Sequence, residues 1–271
     1  MRKKMISLAL FASALFMLSS CSTYLTPAIL GNNMGYLPKA MVADSLKVLT
    51  SVSGSFAGAA SPVLGSVAFE MGMLSINRSH TFKKFNISYG VFGYLGKAEL
   101  VRDDNFTSGS SDYLQSFKKN INGLGLRTSA GFHTTSTNGN TDFRFINWEN
   151  AISNESGEYA DLRSAIYDNN IYKYTNVTNK NIIWTTGLSS EIIWRARRNH
   201  DIKHAFRLFV GGNPGLASSF KYDKDVDSHT IGASSIGWTF NYFLSVKKFT
   251  LSIETANNVN YAQKISVGYA F

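Results

Sequence analysis

The chain holds a single cysteine, Cys21, in 271 residues. An internal disulfide is therefore excluded. No spacing of cysteines and histidines suits a zinc site, no Gly-rich phosphate loop is present, and there is no G-x-S-x-G around a nucleophilic serine. After residue 18 no apolar stretch is long enough to cross a bilayer as a helix, which takes about 20 residues. Acidic residues are also few, 18 against 27 basic. These absences remove the commonest catalytic signatures and any later transmembrane helix, and leave a length that suits one β domain.

What is present begins at the N-terminus. Arg2, Lys3 and Lys4 precede an apolar stretch of fourteen residues, 5–18, the layout of a signal-peptide n-region and h-region. Leu18-Ser19-Ser20-Cys21 follows. This resembles the lipobox of bacterial lipoproteins, which implies cleavage before Cys21 and a diacylglycerol on its thiol. Ser22 stands where some such proteins carry an inner-membrane retention aspartate. Removing the three basic residues of the n-region leaves 24 basic against 18 acidic residues, a net +6, which suits either anionic lipid phosphates or plain solubility. Residues 21–45 have two prolines, two glycines and no clear period, and read as a lipidated tether or a segment tucked into the following domain, 46–271.

From Leu46 the dominant period is two, the strand signal. Ten segments qualify, their apolar faces typified by Leu46/Val48/Val52/Phe56, Val67/Phe69/Met71/Met73, Phe85/Ile87/Tyr89/Val91/Leu95, Leu124/Leu126/Ala130/Phe132, Phe143/Phe145, Ile182/Trp184/Leu188/Ile192/Trp194, Phe206/Leu208/Val210, Ile236/Trp238/Phe240/Tyr242/Leu244, Phe249/Leu251/Ile253, and Tyr261 to Phe271. Short connections follow the second, fourth, sixth and eighth segments. Long ones, 97–120, 151–180 and 213–228, follow the third, fifth and seventh. Outer-membrane barrels alternate short periplasmic turns with long external loops in this way. A lipidated N-terminus starting in the periplasm would, after ten strands, bring the C-terminus back there.

The opposite face of the segments is mostly Gly, Ser, Thr, Ala and Asn, which suits a narrow lumen better than a solvated exterior. Its charges are balanced: Glu70, Asp142, Glu191 and Glu254 against Arg127, Arg144, Arg207 and Lys264. Inside a barrel such charges must pair, because an isolated buried charge is costly. Trp184 and Trp194 lie ten residues apart on one face, as do Tyr261 and Phe271, and ten tilted strand residues climb about 25 Å, the height of a membrane-facing apolar band. The terminal pattern Ile265, Val267, Tyr269, Phe271 resembles the C-terminal signal of outer-membrane barrel proteins. That resemblance implies recognition by the barrel-assembly machinery and closure of the last strand on the first.

The expected fold is all-β: an up-and-down antiparallel transmembrane β-barrel of about ten strands, eight to twelve being admissible, after a signal peptide over residues 1–20. The expected role is non-enzymatic, a structural or binding component of the Gram-negative outer membrane, with no cofactor, metal or nucleic acid. Its partners would be outer-membrane lipid and proteins docking on the three long loops. Two alternatives stand beside it: a lipid-tethered soluble barrel binding an apolar ligand, and a small barrel enzyme at the external rim. Asp227 and His229 share a strand face but form a weak pair. Asp223, Asp225 and Asp227 begin like a calcium loop, yet Ser228 and Ser234 stand where glycine and a bidentate glutamate belong. His80 and His200 fall in short turns beside basic residues and read as solvated. In the loop after segment five, Tyr159, Leu162 and Ile166 at helical spacing, with Ser156 as N-cap and Glu158 in the first turn, predict a short helix over the barrel mouth.

Overall fold

The computed structural model describes residues 23–29, 33–61, 67–101, 114–169, 175–221 and 236–271. Ten antiparallel strands close into a barrel: β2 (Val48–Ala60), β3 (Ala68–Thr81), β4 (Phe85–Leu100), β5 (Phe117–Thr135), β6 (Thr141–Ser156), β8 (Ile182–Arg195), β9 (Ile202–Gly212), β10 (Ile236–Val246), β11 (Phe249–Asn257) and β12 (Tyr261–Ala270). Two three-residue strands, β1 (Thr23–Leu25) and β7 (Thr175–Val177), pair in parallel outside the barrel sheet. A helix, α1 (Glu158–Asn169), follows β6. Closure is made by β12 on β2, from Tyr261 opposite Ala60 to Ala270 opposite Ser51. Phe271 finishes the seam by exchanging backbone hydrogen bonds with Thr50 at 2.8 and 3.1 Å. With every barrel strand paired on both sides, the barrel sheet has no open edge.

The outward face is apolar. In nine of the ten segments the side chains read as the greasy face point away from the axis, and residues as large as Phe56, Leu95, Leu124, Trp184, Leu188 and Val267 are exposed. Rings gather at the short-turn end of this surface, where Trp194 stacks on His204 and packs on Phe206, and Tyr269 meets both Phe249 and Phe271. Trp184 and Tyr261 stand outward near the other end. Soluble proteins rarely expose so continuous an apolar surface.

The second segment departs from the expectation. Val67, Phe69, Met71 and Met73 point inward and are buried, which turns Glu70 outward. Glu70 is therefore not a lumen charge: it stands across from Lys97 near the Glu99–Lys118 ion pair, above the apolar band at the long-loop end. The physical reason is that the lumen is itself apolar at that end, so β3 carries greasy residues on its inner face. Phe69, Met71, Phe92, Tyr94, Ala98 and Ile121 pack beneath α1, which lays Tyr159 edge-on to Phe69 with centroids 5.5 Å apart. The helix forms where its spacing predicted it, but its start differs. Gly157, at φ +103°, turns the chain and accepts from the Asp161 N–H at 3.1 Å, while the Ser156 hydroxyl bonds to Asn122 and caps nothing. The strand before it is longer than the sequence pattern shows, because β6 runs on to Ser156.

Residues 23–29 and 33–41 are not a free tether. They lie buried inside the barrel, entering at the long-loop mouth and descending to the short-turn mouth, where the chain turns into β2. Thr23 thus belongs to the mouth opposite Phe271, which corrects the expectation that both ends start from one side.

Candidate functional site

The lumen and the segment threaded through it form the chemically distinctive part of the molecule. Around one side of the wall, residues directly opposite each other in register build a chain of polar groups: Arg144 faces Glu191, Glu191 faces Arg207, Arg207 faces Asn241, Asn241 faces Glu254, and Glu254 faces Lys264. Six consecutive strands contribute one residue each. Cross-strand neighbours on one face stand close enough to interact directly, and these do. Arg207 donates to Asn241 at 2.5 Å, Lys264 donates to Glu254 at 2.8 Å, Asn241 bonds to Glu254, and Arg144 lies 3.6 Å from Glu191. Asp142, beside Arg144 at 3.9 Å, continues the array toward the short-turn mouth. Of the eight charges expected in the lumen, all but Glu70 are there and buried.

Besides Arg163 of α1, three buried charges escaped the sequence pattern. Glu149 pairs with Arg207, and Glu155 accepts from Arg163 of α1 at 2.7 Å. Both lie beyond an irregularity in β6, where pairing to β8 shifts between Arg144 and Asn147 and both Phe145 and Ile146 face outward. That extra residue flips the inner face from even to odd positions, so strict alternation read from Asp142 and Arg144 misassigns Glu149. The third is Lys39, on the threaded segment, which donates to Glu191 at 3.1 Å.

The threaded segment is held along its length. At the long-loop mouth Asn260 donates to the carbonyls of Pro27 and Ile29 at 2.9 and 3.0 Å, Tyr159 donates to Thr26 O at 2.8 Å, and the Ala28 N–H donates to Glu155 at 2.6 Å. In the middle Arg127 Nε donates to Asn33 O at 2.6 Å and the Tyr36 hydroxyl bonds to Glu191. Gly35 is needed here twice over: its φ is +48°, and a Cβ would sit 2.8 Å from the Arg127 guanidinium carbon. Lower down, Ala40 O accepts from Arg144 and Thr81, each at 2.8 Å, and the Val42 N–H donates to Asp142 at 2.8 Å. Asp44 then clips the chain to the short-turn mouth. It accepts from Met41 N at 2.7 Å, from Arg195 at 2.5 Å and from Lys203 at 2.7 Å. Partial burial pushes the Asp44 carboxyl up, but Lys203 first, then the Met41 N–H and Arg195, hold it below the usual carboxylate range.

This arrangement fills a polar channel with a peptide whose backbone is hydrogen-bonded by the wall and α1 at Thr26, Pro27, Ala28, Ile29, Asn33, Ala40 and Val42. No group of three metal-ligating side chains occurs among the described residues. Cys21, Asp223, Asp225, Asp227, Ser228, His229 and Ser234 lie outside the described residues, as do parts of all three long loops. His80 sits on the outer surface stacked on Tyr89, and His200 is exposed in a short turn.

No family model matches the chain, and no curated protein matches its sequence. Solved structures with a similar overall course include the translocator domain of autotransporter NalP from Neisseria meningitidis, at 7% identity with 85% of this chain and 91% of that chain covered and a TM-score of 0.40. The COG4313 outer membrane channel from Pseudomonas putida F1 gives 7%, 88%, 98% and 0.39, and the outer membrane protein OprG from Pseudomonas aeruginosa gives 8%, 87%, 98% and 0.36. At that distance the likeness says nothing of this chain's role.

Proposed function

We propose that this chain is an outer-membrane β-barrel lipoprotein of the Gram-negative envelope, a structural or binding component rather than an enzyme, kept closed by its own N-terminal segment. The observation that carries this reading is the inversion of the fold: the apolar faces look out and the ionic groups look in, around a lumen already filled. A closed barrel satisfies every backbone group without water, as a membrane span requires. The filled lumen argues against an open pore, and the outward apolar faces argue against a soluble barrel holding an apolar ligand.

The reading carries the anchor with it. Only Ser22 lies between Cys21 and Thr23, at most about 7 Å of chain, so the lipid of Cys21 belongs to the long-loop mouth. With short turns periplasmic, that mouth is the cell surface, and the surface loops within 97–120, 151–180 and 213–228 are the docking sites for protein partners. Outer-membrane lipid and the barrel-assembly machinery complete the expected contacts.

The test is a Cys21→Ala variant. It should stay in the membrane fraction after carbonate extraction and keep heat-modifiable migration on gels. Release as a soluble protein would defeat the membrane reading. An epitope inserted between Ser22 and Thr23 should be labelled on intact cells, whereas one in the 136–140 turn should not. The reverse labelling would overturn the orientation.

A further inference from the structure

The buried charges leave one remainder. Among the described residues six cations are buried, Lys39, Arg127, Arg144, Arg163, Arg207 and Lys264, and five anions, Asp142, Glu149, Glu155, Glu191 and Glu254. The ion pairs match them off as Lys39 with Glu191, Arg144 with Asp142, Arg163 with Glu155, Arg207 with Glu149, and Lys264 with Glu254. Arg127 is left over. It is 3% exposed, and no carboxylate among the described residues lies within ion-pair distance of it. Its contacts are the Asn33 carbonyl, the Met73 sulfur at 3.6 Å and the face of Phe92, 3.9 Å below the guanidinium carbon. A guanidinium has five N–H donors, so these contacts leave N–H groups unused, and Glu254 and Glu149 act on the charge only from beyond ion-pair distance. A buried charge in that condition is costly.

The same arginine lines a cavity. It lies between Tyr36 and Pro38 of the threaded segment and the wall, beside the Lys264 end of the polar chain. Its walls include Arg127, Lys264, Ser53, Ser55, Ser75 and Ser266, and its volume is about 20 Å³, enough for one water-sized occupant. The hydroxyls are organised: Ser53 and Ser75 are bonded at 2.7 Å, and Ser55 donates to Ser266 at 2.8 Å, which leaves the Ser266 proton without a described acceptor. A cation without an ion-pair partner, a second cation, and hydroxyl donors converge on a space the size of a single small ion.

We infer that this cavity binds one small monovalent anion of the size of chloride, held by Arg127. The anion completes the sixth buried ion pair and, by fixing Arg127, fixes the Asn33–Gly35 turn of the threaded segment that Arg127 grips. The ligand selects by charge and size: an organic anion such as gluconate is far too large for the space.

The experiment is thermal unfolding of the full-length protein in detergent, followed by gel migration, at constant ionic strength with chloride replacing gluconate. Above its dissociation constant, each tenfold rise in chloride should raise the wild-type midpoint by about 3–5 °C, and bromide should do the same. Arg127→Gln should abolish the dependence, and Arg127→Lys should retain it in weaker form. A wild-type midpoint indifferent to halide, or Arg127→Gln keeping the full dependence, overturns the inference and leaves the cavity to water. Should Arg127→Gln fail to fold, anomalous scattering from wild-type crystals grown in bromide decides. A peak beside the Arg127 guanidinium supports the site, and a cavity without one refutes it.

Discussion

The two halves of the lumen solve the same problem with opposite chemistry. Toward the long-loop mouth the interior is apolar: Phe69, Met71, Phe92, Tyr94 and Ile121 pack under Tyr159 and Ile166 of α1, as in the core of a soluble domain. Farther down it is ionic, with Glu191, Arg144, Arg207, Glu254 and Lys264 joined across strands. The apolar half is closed by a helix that can bury a hydrophobic stripe, together with Leu25 and Ala28 of the threaded segment, whose backbone there is met by Tyr159, Glu155 and Asn260. The ionic half is closed by an extended peptide, whose bare N–H and C=O groups need partners that only polar walls supply. What fills each half therefore decides what the wall must be.

Breaking the ionic half should cost most. Glu191→Ala strips Lys39 of its ion-pair partner and Tyr36 of its acceptor, and removes the carboxylate 3.6 Å from Arg144; it should lower stability by about 3–5 kcal/mol, read as a lower midpoint of heat-modifiable migration. Glu191→Gln, which keeps one acceptor oxygen, should recover part of that loss. In the apolar half, Phe69→Ala removes a buried ring from the contact with Tyr159 and should cost about 3 kcal/mol. Equal and negligible effects of these two would mean that neither half is packed as described.

The outward surface supplies the next contrast. Leu188→Arg places a charge midway along β8 against hydrocarbon and should destabilise by about 2–4 kcal/mol in bilayers. Glu70→Leu, at the rim, should leave stability unchanged in the same refolding assay. A tolerated arginine at 188 would argue that the band faces water.

The smallest effect concerns the Asp44 clip. Its folded pKa lies below the unfolded value of about 4, so its contribution is present above that value and fades as pH falls through the folded pKa. Because solvent reaches it, the expected size is only about 0.2–1 kcal/mol. Acidification from pH 5 to pH 3 should lower the protection of the amides near Met41 and Val42, measured against the intrinsic exchange rate at each pH, and Asp44→Asn should remove most of that change.

Much of this was legible in the alternation of residues. Strand number, the outward course of Trp184, Trp194, Tyr261, Ile265, Val267, Tyr269 and Phe271, and the inward course of Arg127, Asp142, Arg144, Arg207, Glu254 and Lys264 all follow from a period of two. Glu70 and Glu149 show where that reasoning stops. Alternation says that two faces differ, not which one looks inward, so β3 reads backwards where its lumen side is apolar. A single extra residue between Arg144 and Asn147 reverses parity without altering composition, so Glu149 could be found only from the pairing. The threaded segment carries no period at all, because each of its residues answers to a different strand of the wall.

The sequence alone determined that the chain would form a barrel of strands with one greasy and one polar side, since local sterics and the two-residue repeat act without reference to distant parts. Tertiary structure decided which carboxylate meets which cation, that residues 23–41 fill the channel, and that Arg127 is left facing a small cavity. Those outcomes depend on strand register and on a segment returning through the closed sheet, and both bring together groups separated by up to about 230 positions, a separation at which no local pattern carries information.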